Sequence, residues 1–161
     1  MNIICTITRL YGLDYTSLRY ANVFGPRQDP FGEAGVVAIF IQKMLNGEQP
    51  IINGDGEQTR DFVYVGDVVK ANILAMRNNA AENIFNIGTG VETSVNQIFN
   101  HIKAVINPSI KEKHGPPKQG EQIRSVIDFT KAKEVLQWKP KISLIDGLEK
   151  TCEYFQKESH G

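Results

Sequence analysis

The chain has 161 residues with 18 acidic side chains and 18 Lys or Arg side chains, so its formal net charge is zero. This balance argues against a nucleic-acid or membrane role driven by bulk charge. The longest apolar run, Val36–Ile41, is far too short to span a bilayer.

The remaining whole-chain features predict one cytoplasmic domain. The length suits a single domain over residues 1–161 with a sizeable core. No basic segment followed by an apolar one opens the sequence, so no signal peptide is predicted. The cysteines, Cys5 and Cys152, have no metal-type spacing and suggest reduced thiols.

The first half alternates predicted helices and strands. In chain order these are a helix over residues 3–11 that stops at Gly12, a strand over Tyr15–Tyr20 that Asn22–Pro26 breaks, a helix over Val36–Leu45, a short strand over Pro50–Asn53, its return strand over Thr59–Tyr64, and a helix over Asp67–Arg77. Gly54-Asp55-Gly56 predicts a tight turn between the two short strands, because Asp-Gly tolerates positive φ. The helix over Asp67–Arg77 has a broad predicted apolar face made of Val68, Val69, Ala71, Ile73, Leu74 and Ala75.

The second half continues the alternation. It predicts a strand over Asn83–Ile87, a helix over Val95–Ile106 capped by Thr93-Ser94, a weak strand over Ile110–His114, a loop over Gly115–Glu121, a strand over Arg124–Asp128, a short helix from Thr130 to Gln137, and a last helix from Ser143 to about Glu158. The pattern indicates an α/β class. Some of these strands are expected to need partners from another segment, and such strands expose an unpaired edge and an apolar face.

Three stretches carry a family resemblance. They are LRYANVFGPRQ (Leu18–Gln28), GDGEQTRDFVYVGD (Gly54–Asp67) and DFTKAKEVLQWKPKISLIDGL (Asp128–Leu148). Together they resemble the second half of the extended short-chain dehydrogenase/reductases, in the NAD-dependent epimerase/dehydratase family, and within it the UDP-glucose 4-epimerase-like branch. The resemblance implies the C-terminal portion of a Rossmann-type fold, with the last sheet strands and a small mixed α/β substrate-binding subdomain.

Two motifs of that family are absent from the sequence. No G-x-x-G-x-x-G occurs, Gly88–Gly90 being the nearest glycine cluster, and no Tyr is followed four residues later by Lys. In the family the glycine motif binds the dinucleotide pyrophosphate at a helix N-terminus, and the Tyr and Lys are catalytic. The resemblance therefore implies NAD with most of its site outside this chain, no catalytic residue within it, and no turnover by the chain alone. The chain is read as a fragment or a truncated reading frame.

The resemblance also implies substrate contacts. Arg60 matches the family's diphosphate-binding Arg, a task that suits an always-charged guanidinium with parallel donors. Asn22 matches an amide that donates near the diphosphate. Lys118 and Glu121 stand where the family has the Arg and Asp of R-x-G-D, which contact the diphosphate and the ribose. Arg124 could supply a replacement cation.

The other implied contacts depend on position alone. Arg27 borders the sugar site, and Asn53 sits where the family packs the nucleotide base. Tyr20, Asn22 and Val23 would lie beside the nicotinamide of NAD. Metal ligands are not predicted, since the histidines have no metal spacing.

The residues themselves leave alternatives open. Asn22 could cap a turn, and Arg60 could form a surface ion pair with Asp61 or Glu57. Arg27, Lys118 and Glu121 could be solvated loop residues. Further residues are predicted to be structural, namely Asp67 as a helix N-cap, Asp128 before the short helix, and Trp138 packing that helix against the sheet.

Three functions remain open from the sequence. The first is the UDP-sugar-binding part of an NAD-dependent UDP-glucose 4-epimerase-like enzyme. The second is part of a nucleotide-sugar dehydratase or another epimerase. The third is a non-catalytic binding or assembly module, or an inactive remnant. The predicted partners are a UDP-sugar or related nucleotide sugar, and either a second copy of the chain or a separate N-terminal-half chain.

Overall fold

The computed structural model describes residues 10–12, 14–31, 35–78 and 83–159. Its helices are α1 (Val36–Leu45), α2 (Val65–Arg77), α3 (Val95–Ile106), α4 (Thr130–Val135) and α5 (Leu144–Glu158). Its strands are β1 (Thr16–Tyr20), β2 (Asn22–Phe24), β3 (Ile52–Asn53), β4 (Thr59–Tyr64), β5 (Asn83–Ile87), β6 (Glu92–Ser94), β7 (His114–Gly115) and β8 (Arg124–Ser125). Most of the predicted first helix lies outside the described residues. Leu10 and Tyr11 are helical, and Gly12 follows at φ +64, as expected of a helix stop.

Mostly parallel strand pairs organise the described chain, which confirms the α/β class. β1 pairs in parallel with β5 in one small sheet. β4 is central to a second sheet, where it pairs with β2 and β8 in parallel and with β6 antiparallel. The chain passes from the first sheet to the second at Ala21, whose N–H donates to the Ile87 carbonyl at 2.9 Å. β3 pairs in parallel with β7, far along the chain.

Two strand predictions are wrong. Asn22–Phe24 is a strand and not a break, because Gly25 at φ +147 and Pro26 interrupt the chain only after the buried Phe24. β4 is not the return strand of β3, since the two strands pair with different partners. The predicted turn does form, with Gly54 at φ +64 and Gly56 at φ +75, but it leads the chain from one sheet into another.

The two carboxylates predicted at helix starts have other partners. α2 begins at Val65, so Asp67 lies inside its first turn, where its carboxylate accepts the N–H groups of Lys141 and Ile142 at 2.9 and 3.0 Å. The acid ties the C-terminal segment to α2 instead of capping the helix. At α4 the hydroxyl of Thr130 is no cap. It donates to Asp128, whose carboxylate also accepts the Thr130 N–H at 2.8 Å.

Several shorter differences concern element ends. α4 ends at Val135 and not at Gln137, and the strands predicted over Ile110–His114 and Arg124–Asp128 shrink to β7 and β8. α1, α3 and β5 have the predicted bounds. Ser94 begins α3 with a capping box, in which it exchanges hydrogen bonds with Gln97.

Two apolar cores lie on opposite faces of β4, because side chains alternate along a strand. Phe62 belongs to one core and its neighbour Val63 to the other. The first, here called the helical core, packs α1, α3 and α5 together, and Phe40 meets Phe99 edge to face with ring centroids 5.6 Å apart. The second, here called the sheet core, packs α2 and α4 on β1 and β5. Trp138 is buried there, as predicted.

The predicted broad apolar face of α2 is buried only in part. Val68, Ala71 and Ala75 enter the sheet core. The other side stays open, with Val69 at 53%, Ile73 at 42% and Met76 at 86% exposure. In the part of the chain that the structure describes, no helix is both long enough and apolar enough to cross a membrane.

Candidate nucleotide-binding cleft

A cleft of about 490 Å³ lies between the turn after β3 and the loop that joins β7 to β8. The β3–β7 pairing forms it, since Asn53 pairs in register with Gly115 and so places the turn against the loop. His114 fixes the same junction, because its Nδ1 donates to the Gly54 carbonyl at 2.8 Å. The predicted substrate residues Asn53, Lys118 and Glu121 all line this cleft.

Arg60, on β4, contacts the cleft-lining residue Glu121. Its side chain is 17% exposed, and Nη2 lies 3.4 Å from Glu121 Oε1. Nη1 donates to the Thr59 carbonyl at 2.8 Å. The ion-pair partner is therefore Glu121, neither Asp61 nor Glu57. An arginine and a carboxylate predicted to contact one ligand thus contact each other.

The carboxylate of Glu121 makes long contacts with two described residues. One oxygen faces Arg60, and Oε2 accepts from Gln58 Nε2 at 3.4 Å. Gln58 also donates to the Asn53 carbonyl at 3.1 Å, so it links two predicted ligand residues. Gln58 also lines the cleft and was not among the ligand residues predicted from the sequence. Its position in the motif G-D-G-x-Q-x-R, which ends at Arg60, could have indicated that it lies near the ligand.

The Gly88–Gly90 segment binds a carboxylate of the chain itself. Asp61 is 1% exposed. It accepts the Thr89 N–H at 2.8 Å, the Thr89 hydroxyl at 2.6 Å and the Gly90 N–H at 3.0 Å. A Cβ at Gly88 would lie 2.6 Å from Asp61 Oδ2, so only glycine permits this approach. The N–H groups that a glycine cluster could offer to a phosphate are used internally here.

Arg124 is engaged away from the cleft. Its guanidinium donates from Nε to Glu92 Oε2 at 3.0 Å and forms an ion pair with the same carboxylate. The hydrogen bonds from Arg124 and from the Thr59 hydroxyl lower the pKa of Glu92 to about 2. The structure therefore does not favour Arg124 as a replacement cation for the ligand.

The remaining predicted residues lie outside the cleft. Asn22 is exposed at the start of β2, where it pairs in register with Phe62, two residues beyond Arg60. Arg27 is exposed in the following turn at φ +69. Tyr20 faces α2, its hydroxyl donating to Asn72 Oδ1 at 3.0 Å, and Val23 packs against the sheet core.

The described residues hold no cluster of three or more His, Cys, Asp or Glu side chains arranged for a metal ion. Cys152 is a free, buried thiol in the helical core. Burial raises its pKa to about 12, so it is unsuited to act as a nucleophile.

Comparison with known proteins gives a consistent result. The model of the NAD dependent epimerase/dehydratase family matches residues 1–88. A UDP-glucose 4-epimerase from Mycolicibacterium smegmatis is 45% identical over 93% of this chain and 48% of its own length. A UDP-N-acetyl-alpha-D-glucosaminuronate decarboxylase from Bacillus cytotoxicus is 37% identical over 96% of this chain and 50% of its own.

A solved structure agrees with the sequence relatives. The crystal structure of UDP-glucose 4-epimerase from Thermotoga maritima with UDP-glucose is 54% identical and matches with a TM-score of 0.92, covering 97% of this chain and 50% of that chain. The fold is therefore a partial Rossmann-type fold of the epimerase type. The chain spans about half the length of the curated relatives it matches.

Proposed function

Because the chain belongs to the NAD dependent epimerase/dehydratase family, we propose that it is the nucleotide-sugar-binding part of a UDP-glucose 4-epimerase-like enzyme. The supporting observation is the convergence of Arg60, Glu121 and Asn53. Arg60 lies 3.4 Å from Glu121, and Glu121 lines a cleft with Asn53. These residues come from β4, from the loop before β8 and from β3, so their meeting is a product of the fold.

The chemistry of the cleft suits a nucleoside diphosphate. Arg60 and Lys118 provide the positive charge that a diphosphate needs, and charge-assisted bonds of this kind are the strong ones. Glu121 provides a carboxylate that can accept from the ribose hydroxyls. Asn53 lines the same cleft, and the family resemblance assigns its position to the nucleotide base. The volume of about 490 Å³ is in the range of small-molecule pockets, roughly 300–1,000 Å³.

The described residues do not fit a complete NAD site. Tyr20, Asn22 and Val23 offer a phenol that already donates to Asn72, an exposed amide and a half-buried apolar side chain. None of them forms the N–H cradle that a dinucleotide pyrophosphate uses. We therefore assign no step of hydride transfer to these residues. We propose that the glycine-rich loop and the Tyr-x-x-x-Lys pair come from elements outside this sequence, and that the chain is inactive without them.

Titration calorimetry with UDP tests the binding proposal. The wild-type chain is expected to bind UDP, and Arg60→Gln is expected to weaken it about 10- to 100-fold, as for loss of a charge-assisted bond of roughly 1.5–3 kcal/mol. Arg77→Gln is the matched control, because it removes the same charge from the exposed end of α2. It should change the affinity less than about twofold, since Arg77 does not line the cleft and salt screens exposed charges.

The possible results separate cleanly. Failure of the folded wild-type chain to bind UDP overturns the proposed function. Equal affinity of the wild type and Arg60→Gln removes Arg60 from the site. Interconversion of UDP-glucose and UDP-galactose by the purified chain with added NAD overturns the proposed inactivity.

A second candidate is part of another UDP-sugar enzyme, which the 37% identity to a UDP-sugar decarboxylase supports. UDP-glucose and UDP-N-acetyl-alpha-D-glucosaminuronate, the sugar nucleotide in that relative's name, share the nucleotide and differ in the sugar. A UDP-glucose 4-epimerase-like chain is expected to bind UDP-glucose at least as tightly as the other compound. A clear preference for UDP-N-acetyl-alpha-D-glucosaminuronate supports the second candidate.

A further inference from the structure

The Arg60–Glu121 pair occupies the groups that the proposed ligand needs. Arg60 is 17% and Glu121 27% exposed, so both side chains are largely withdrawn from water. One arm of the Arg60 guanidinium is used by the Thr59 carbonyl, and the other faces Glu121. A diphosphate on Arg60 therefore has to replace Glu121 or share the guanidinium with it.

Sharing is electrostatically unfavourable. A diphosphate on Arg60 would bring a second strong negative charge to within a few ångströms of the carboxylate, in a site that excludes much of the solvent. The Arg60–Glu121 contact is easily released, because its 3.4 Å separation is longer than the 2.7–2.9 Å of a strong N⁺–H···O⁻ bond. Glu121 Oε2 is held equally loosely, by Gln58 at 3.4 Å.

We propose that Glu121 stands in for the ligand's diphosphate on Arg60 and that nucleotide binding exchanges one partner for the other. The inference rests on the proposed function. In the exchange Arg60 keeps its bond to the Thr59 carbonyl and turns its free arm to a phosphate oxygen. Glu121 leaves Arg60 and accepts from the ribose hydroxyls, while Gln58 remains its second contact.

The exchange makes the site selective for a ligand with two parts. Pyrophosphate satisfies Arg60 but leaves the displaced carboxylate without a donor to replace the guanidinium, a costly state for a largely buried charge. A nucleoside diphosphate provides the ribose hydroxyls and satisfies both groups. Glu121 thus couples recognition of the diphosphate to recognition of the ribose, and it acts as a specificity-determining residue.

The substitution Glu121→Gln separates recognition of the diphosphate from recognition of the ribose. Glutamine removes the negative charge that competes for Arg60 and keeps an oxygen acceptor. We expect pyrophosphate to bind this variant about fivefold more tightly than the wild type, the upper range for loss of a weak ion pair. The affinity for UDP should increase less, because the charged acceptor for the ribose is lost. Both ligands are titrated by calorimetry into the full chain.

Glu57→Gln is the matched control. Glu57 also lines the cleft, but its carboxylate accepts from Asn96 Nδ2 at 2.7 Å and does not pair with Arg60. A general loss of negative charge would raise the pyrophosphate affinity of both variants equally. The exchange requires a clearly larger increase for Glu121→Gln.

The outcomes distinguish the two proposals. A selective increase in pyrophosphate affinity for Glu121→Gln, larger than its increase for UDP, supports the exchange. UDP binding by the wild type with equal pyrophosphate affinities in the two variants overturns the exchange and leaves the proposed function standing. No UDP binding by the folded wild type overturns the proposed function, and the exchange with it.

Discussion

Helices α2 and α3 have similar apolar sequences and very different surroundings. In α3 the side chains of Ile98, Phe99 and Ile102 are fully buried against α1 and α5. In α2 one side enters the sheet core, while Val69, Ile73 and Met76 face outward, uncovered by any part of the chain that the structure describes. The contrast shows that the apolar residues of a helix do not by themselves determine how much of that helix is buried.

The largest expected difference in the free energy of unfolding is between substitution of the buried Phe99 of α3 and substitution of the exposed Met76 of α2. Phe99→Ala should lower the free energy of unfolding by about 3–5 kcal/mol, because it leaves a cavity between α1 and α3. Met76→Ala should lower it by less than about 0.5 kcal/mol. Urea unfolding measures both. A comparable loss for Met76→Ala would mean that the outer face of α2 is packed in solution.

The second-largest loss in the free energy of unfolding is expected from a buried polar contact. Asp61→Asn should lower the free energy of unfolding by about 2–3 kcal/mol, because the new amide group places N–H against the donors of Thr89 and Gly90. Asp14→Asn is the control, since Asp14 is exposed. If both substitutions have equally small effects, the Gly88–Gly90 segment is not held by Asp61 in solution.

Acid titration tests a weaker contact at the edge of the second sheet. The pKa of Glu92 is lowered from 4.5 to about 2 by hydrogen bonds from Arg124 and Thr59. A carboxyl group with a lowered pKa in the folded state stabilises the fold above its unfolded pKa, and this stabilisation is lost as the pH falls through the folded pKa.

The melting temperature of the wild type should therefore exceed that of Glu92→Gln at pH 6. The difference should shrink between about pH 4.5 and pH 2. Glu149→Gln, at an exposed site on α5, should show no such trend. A difference between wild type and Glu92→Gln that does not depend on pH would contradict the assigned ion pair.

The smallest expected effect is on the open face of α2. Ile73→Lys should change the free energy of unfolding by less than about 0.5 kcal/mol, because the side chain is already exposed. It should also reduce any concentration-dependent association, since exposed apolar patches favour contacts between chains. Sedimentation velocity measures the association. A large loss of stability would show that the Ile73 side chain is packed in solution.

Local signals predicted the helices well. The bounds of α1 follow from its apolar residues, and the start of α3 follows from the predicted Thr93-Ser94 cap, in which Ser94 is the N-cap residue. These signals act within a few residues, so they can be recognised in one sequence. The exposure of Val69 and Ile73 could not be predicted. Apolar periodicity identifies the apolar face of a helix, but it does not indicate which element, if any, packs against that face.

Strand pairing was the main failure. The Gly54-Asp55-Gly56 turn suggested a hairpin, but β3 pairs with β7 some sixty residues further on, an arrangement that no local rule indicates. The candidate cleft has the same origin, because Arg60 and Glu121 lie 61 positions apart. Only the family resemblance indicated that they act together. It did not show that they contact each other, or that Gln58 connects Glu121 to Asn53.

Trp138 gives the molecule a built-in optical probe. It is the only tryptophan in the sequence, 1% exposed, with its indole N–H donating to the Asp67 carbonyl at 2.9 Å. Its fluorescence therefore reports on the sheet core, whereas α1, α3 and α5 hold most of the helical residues in the part of the chain that the structure describes and so dominate that part's circular dichroism. Coincident denaturation curves by the two methods would indicate one cooperative transition. Separate curves would show that the helical core and the sheet core unfold independently.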